Sequence, residues 1–180
     1  RQQPAPSREH SSMKSASRGS KKAKTTKAPK LSRTHAPPAL TPQEWQRELR
    51  RQFGREQTFG MENLGTEPFF SEFRVSNPES RSAYHVAIRG TQDGDNYCAC
   101  PDYATNELGT CKHIEFVLAA VGKKRGAKSA LARGYQPAFS ELYLRYNGVR
   151  SVHFRAGVDC PAPLLQAAGR LFVAENGWRL

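Results

Sequence analysis

Three of the four cysteines in this 180-residue chain fall in one stretch, YCACPDYATNELGTCKHIEFVL, residues 97–118. Cys98 and Cys100 are two apart, ten residues follow, and Cys111 and His113 are again two apart. This restricts the fold more than any other feature, because two close pairs of soft ligands suit one tetrahedral metal ion. In extended backbone, residues i and i+2 point to the same side, so Cys98 and Cys100 aim both thiols at one point. In a helix that separation puts side chains on nearly opposite sides. Cys111 is therefore expected in the approach to a helix and His113 in its first turn, with the loop between the pairs returning the chain to the strand end.

Four protein ligands leave no open position for water or substrate, which predicts one structural Zn²⁺ and no catalytic metal. Three thiolates, a neutral imidazole and Zn²⁺ sum to one negative charge, which Lys112 and the positive end of the following helix can offset. Two alternatives stand beside zinc. A Cys98–Cys100 disulfide would close a very small, strained ring, and disulfide frameworks suit secreted domains. Plain buried thiols do not explain three cysteines and a histidine within sixteen residues. Cys160 is read as a small core or surface residue, His85 and His153 as packing residues in strands, and His10 and His35 as part of the N-terminal tail.

Around this cluster the pattern predicts an α+β fold. Thr41, Pro42 and Glu44 form a helix start with a capping box. Trp45, Leu49 and Phe53 then recur on one face, and Gly54 reads as the stop. Arg47, Arg50, Arg51 and Arg55 beside that stripe read as a solvated face. FFSEFRVSN and SAYHVAIRG, joined by NPESRS, predict a hairpin, since Tyr84, Val86 and Ile88 alternate with polar or small residues. NYCAC is a third extended piece, and HIEFVLAAVG a helix that stops at Gly122. SELYLRY and VRSVHFR flank Asn147-Gly148, the signature of a tight hairpin turn. APLLQAAGRLFV reads as a helix with Leu164, Leu165, Ala168, Leu171 and Phe172 on one face, and Asn176-Gly177 as a further turn.

Charge divides the chain. Residues 1–40 hold ten of the 28 Lys and Arg and one of the 16 acids, leaving a formal charge of only +3 on the rest of a chain whose total is +12. That Ser-, Lys- and Pro-rich segment has almost no large apolar residue and is expected to be disordered. It reads either as a solvated linker or as a basic arm held near nucleic acid by phosphate attraction. A mitochondrial transit peptide is a third reading, set against by the Lys and Pro content and the missing helical period. No secretory signal follows Arg1 or Met13, and no run approaches the roughly 20 apolar residues of a membrane helix. With thiols taken as reduced, an intracellular location, cytoplasm or nucleoid, is expected. Three regions follow: a basic tail at 1–40, a zinc region at 41–137 with its core at about 82–122, and a hairpin plus helix at 138–180.

The motif C-x-C, a loop, then C-x-H opening a helix resembles the SWIM-type zinc finger, with Cys98, Cys100, Cys111 and His113 at the ligand positions. CPDYATNELGTCKHIEFVL is similar to the version near the N-terminus of bacterial Swi/Snf-type helicases, in the Pro-Asp-aromatic after the second cysteine and the Leu-Gly-Thr before the third. FRVSNPESRSAYHVAIRG and SELYLRYNG add to the likeness, which covers roughly residues 41–180. The resemblance implies a small zinc-stabilised ββα unit that binds DNA or protein partners and precedes an ATP-driven motor. No motor is visible here. A phosphate-binding loop needs Gly-x-x-x-x-Gly-Lys-Ser/Thr after a strand, and GKKRGAKS, Gly122 to Ser129, has the wrong glycine spacing and follows a helix. The chain is therefore expected to be no enzyme, although a full-length parent would be an ATPase.

The expected function is a zinc-stabilised accessory module, either binding DNA with weak sequence preference or serving as a protein-interaction adaptor. No membrane and no small-molecule substrate is expected. Lys112, Lys123, Lys124, Arg125, Lys128 and Arg133 are the candidate phosphate contacts, with a solvated loop as the plain reading. Without interleaved aromatics, base stacking is not predicted.

Overall fold

The computed structural model of the chain describes residues 30–174, 178 and 179. The expected tail thus falls mostly outside the described residues, as does the turn at Asn176-Gly177. Residues 30–40, placed by sequence in that tail, run against the first helix. The Leu31 N–H donates to Gln52 Oε1 at 2.7 Å, Trp45 Nε1 donates to the Ser32 carbonyl at 3.0 Å, and Arg33 stacks on Phe53.

Helix α1 (Pro42–Glu56) starts as its sequence dictates, with the full Thr41–Glu44 capping box. It does not stop at Gly54. The helix continues to Glu56, and Gly54 is buried where α1 crosses helix α3 (Lys112–Val121). A Cβ there would lie 2.7 Å from the Phe116 nitrogen and 2.7 Å from Glu115 Cβ. The glycine serves close helix approach, and sequence alone cannot tell that use from a C-cap.

Strands β1 (Gly60–Asn63), β2 (Glu72–Ser76), β3 (Ala83–Ala87) and β4 (Tyr97–Cys98) form an antiparallel meander in that order. The β2–β3 hairpin stands where alternation put it, with Phe73 opposite Val86 and Val75 opposite Tyr84. The edge strand β1 was not read from the sequence, because GMEN carries no alternation. Phe73, Val75 and Val86 on the inner face meet Ile114, Val117 and Val121 of α3, and all six are almost wholly buried. Two further helices escaped the sequence reading: α2 (Pro101–Thr105), within the expected loop, and α4 (Ala127–Arg133), in the basic small-residue stretch. α3 does end at Gly122.

The C-terminal part is a second antiparallel sheet, in which β5 (Glu141–Asn147) pairs with β6 (Val149–Arg155) around Gly148, whose φ is +78°. Strands β8 (Trp178–Arg179) and β7 (Val173–Ala174) follow across it. Helix α5 (Ala162–Leu171) forms as expected, but its apolar face is only partly covered: Ala168 is buried while Leu164, Leu165 and Leu171 are exposed. The architecture is α+β. Among the described residues no helix is long and apolar enough to cross a membrane.

Candidate metal centre

The meander delivers Cys98 at the end of β4, with Val86 as its cross-strand partner. Backbone that stays extended through Cys100, the N-cap of α2, turns its thiol to the same side. Cys111 is the extended N-cap of α3, and His113 lies in that helix's first turn. One ligand atom from each of Cys98, Cys100, Cys111 and His113 lies within 4.8 Å of all the others, and all four residues are buried. His113 turns Nδ1 toward the sulfurs, 3.8 Å from Cys98 Sγ and 4.0 Å from Cys111 Sγ. Tetrahedral ligands at Zn–S and Zn–N bond lengths lie about 3.5–3.8 Å apart. The donor set and its spacing therefore fit one metal ion. None of the four cysteines is in a disulfide, and Cys160 lies away from the cluster with its thiol directed at the Pro161 carbonyl.

The chemistry of the thiols points the same way. The Cys111 and Cys98 thiols donate to Cys100 and hold it below the ordinary thiol range. That same bond to Cys100 pushes Cys98 up to about 12, and burial pushes Cys111 up. Three buried thiolates repel one another, so the sulfurs do not all ionise unaided. A divalent cation is what allows all three to ionise. Two helix N-termini help: the Tyr103 N–H donates to Cys100 Sγ at 3.4 Å, and α3 begins at Cys111. Cys111 makes no side-chain cap bond, as expected of a sulfur turned to the cluster. Phe59 and Tyr84 flank the His113 ring at 5.2 and 4.9 Å and fix its orientation.

Around the cluster stands a polar frame that the sequence did not reveal. Arg50 grips Asp102, two residues beyond ligand Cys100, with two bonds of 2.6 and 3.1 Å. Arg51 holds Asp93 at 2.9 and 3.1 Å, and Arg47 donates to the Leu108 carbonyl at 3.1 Å. Three of the four arginines read as a solvated face thus fasten α1 to the loop that carries the ligands; Arg55 is exposed. Asn106 knits the loop by donating to the Thr110 carbonyl and accepting from the Leu108 N–H. Tyr103 is buried, its hydroxyl donating to the Asn96 carbonyl at 2.5 Å, and burial holds that phenol well above its usual range. The sequence signal for Asp102 and Tyr103 was the Pro-Asp-aromatic after Cys100. The arginines had none, because their acceptors lie 42 to 61 residues away.

Of the candidate phosphate contacts, Lys123, Lys124 and Arg125 are exposed on the turn between α3 and α4, and Lys128 and Arg133 are exposed on α4. Lys124 also donates to the Pro68 carbonyl at 2.9 Å, and Arg133 to Ser129. Lys112 differs: it is half-buried at the start of α3, 5.7 Å above the Phe59 ring. His85, read as a packing residue, is instead exposed with Nε2 2.7 Å from Glu72 Oε2, and His153 is buried with Nε2 bonded to Ser151. No family model, no curated protein and no solved structure matches the chain.

Proposed function

We propose that this chain is a structural zinc module of the SWIM type that presents a basic turn to DNA, as the accessory part of a Swi/Snf-type DNA-dependent ATPase. The observation that carries the zinc reading is the buried Cys98, Cys100, Cys111 and His113 cluster, split between a strand end and a helix start. Bound there, the ion would cross-link β4 to α3 and supply folding energy, with no position open for substrate. The SWIM and ATPase assignments rest on the motif and its flanks. The DNA reading is supported by the exposed cations Lys123, Lys124, Arg125, Lys128 and Arg133, grouped within eleven residues just after the metal helix.

The test is binding of a random-sequence duplex followed by fluorescence anisotropy between 50 and 200 mM salt. The five exposed cations of the turn and α4 account for a log–log slope of about −4.5, and the ten Lys and Arg of residues 1–40 would steepen it. Reversing Lys123, Lys124 and Arg125 to Glu should weaken binding by about tenfold or more while zinc is retained. A zinc-loaded protein that binds no DNA supports the second reading, a protein-interaction adaptor. The exposed Leu142, Leu144 and Val149 of the C-terminal hairpin favour that alternative.

A further inference from the structure

The β5–β6 hairpin lies far along the chain from the metal ligands, yet its tip is seated in the loop that carries them. The Gly148 N–H donates to the Glu107 carbonyl at 3.0 Å, and Arg150 reaches the Ala104 carbonyl at 3.2 Å. Arg145 pairs with Asp95 at 3.2 Å, with both side chains largely shielded from solvent. The Tyr146 ring packs tilted against Tyr103, 5.4 Å between centroids, and the Arg150 guanidinium lies over the Tyr146 ring at 5.0 Å. Tyr103 in turn donates its N–H to ligand Cys100, so only one residue separates the hairpin from the cluster.

Backbones approach closely here. Gly94 donates its N–H to the Gly109 carbonyl at 2.9 Å, which closes the loop on itself. A Cβ on Gly109, whose φ is +75°, would lie 2.2 Å from the Tyr146 carbonyl oxygen and 2.6 Å from the Gly94 nitrogen. The glycine in Leu-Gly-Thr is thus required by the hairpin as well as by the loop. The pocket that receives Tyr146 exists only while residues 94–109 hold this course, and Cys98, Cys100 and Cys111 sit within and just beyond that span.

We infer that the metal loop is the socket of the hairpin, so that metal loading and hairpin docking are two readings of one coupled equilibrium. This rests on the metal reading under Proposed function and adds to it a regulated element: the C-terminal sheet is held against the finger when the ion is bound and released when it leaves. Coupling between sites is reciprocal, so loosening the hairpin must weaken the metal. The residues that carry it are Arg145 and Tyr146 on the hairpin, and Asp95, Tyr103 and Gly109 on the loop.

The experiment uses the full chain in reducing buffer and has two arms. In the first, hydrogen exchange is compared between zinc-loaded and chelator-treated protein. Amides of residues 141–155 should lose about tenfold or more of their protection together with those of residues 93–111. In the second, zinc affinity is measured by competition with a chromophoric chelator. Arg145→Ala and Tyr146→Ala touch no ligand, yet each should weaken zinc about tenfold, while Leu142→Ala on the same hairpin stays within about twofold. The second arm stands even if chelation unfolds the whole chain. Wild-type affinity in both hairpin variants, or equal hairpin protection with and without metal, overturns the coupling. A wild-type chain that takes up no zinc overturns the metal reading itself, and the stoichiometry measured in the same titration tells the two failures apart.

Discussion

Replacing Gly54 by alanine separates two physical effects of opposite sign. In a helix interior with nothing nearby, alanine is favoured over glycine by about 1 kcal/mol. Gly54 has two neighbours that no side chain can push aside: a Cβ would sit 2.7 Å from the Phe116 nitrogen and 2.8 Å from the Glu115 carbonyl carbon. Carbon atoms in ordinary contact lie about 3.5–4.0 Å apart, so the methyl overlaps the backbone of α3 by about 1 Å. Relief requires α1 to move outward where Arg50 and Arg51 are tied to the metal loop. Overpacking costs about 1–3 kcal/mol, and a clash against backbone belongs at the upper end. The net expectation is a loss of about 2 kcal/mol after the helix-propensity gain is subtracted. Urea unfolding of the zinc-loaded protein measures it, as a lower midpoint at unchanged slope. The exposed Gln43→Ala should stay within about 0.5 kcal/mol. A Gly54→Ala protein as stable as wild type, or more so, would refute the close-packing argument.

Two further expectations concern the frame and the thiols. In a double-mutant cycle of Arg50→Ala and Asp102→Ala, the bidentate pair should show about 1 kcal/mol of coupling in urea unfolding, and additivity would contradict it. Because Cys98 and Cys111 are held high, metal binding near neutrality displaces thiol protons. Zinc affinity should therefore rise with pH, by about tenfold or more between pH 7 and 8, in chelator competition corrected for the competitor's own protonation. An affinity that does not change with pH would show that no thiol proton is displaced.

Features legible in the sequence were those decided by near neighbours. The capping box of α1 involves residues three apart. The ligand pairs are each two apart, and strand and helix periods suffice to aim them. The β2–β3 and β5–β6 hairpins announced themselves by alternation and turn residues. What failed depends on distant partners or on short elements. Gly54 and the three arginines take their roles from α3 and the metal loop, which no local pattern encodes. Five residues of α2 and four of β1 are too few to show a period. The leucines of α5 have a helical period, but amphipathicity fixes which face is apolar and says nothing about what covers it. The docking of the hairpin on the metal loop was equally hidden, since Gly109 and Tyr146 meet across 37 residues of chain.

The most direct test of the account is elemental analysis of freshly purified, reduced protein, with Cys111→Ser beside the wild type. The account predicts about one zinc per wild-type chain, and in the variant loss of the metal together with loss of folded structure by circular dichroism. A wild-type chain without metal, or a variant that keeps both its zinc and its fold, would contradict it.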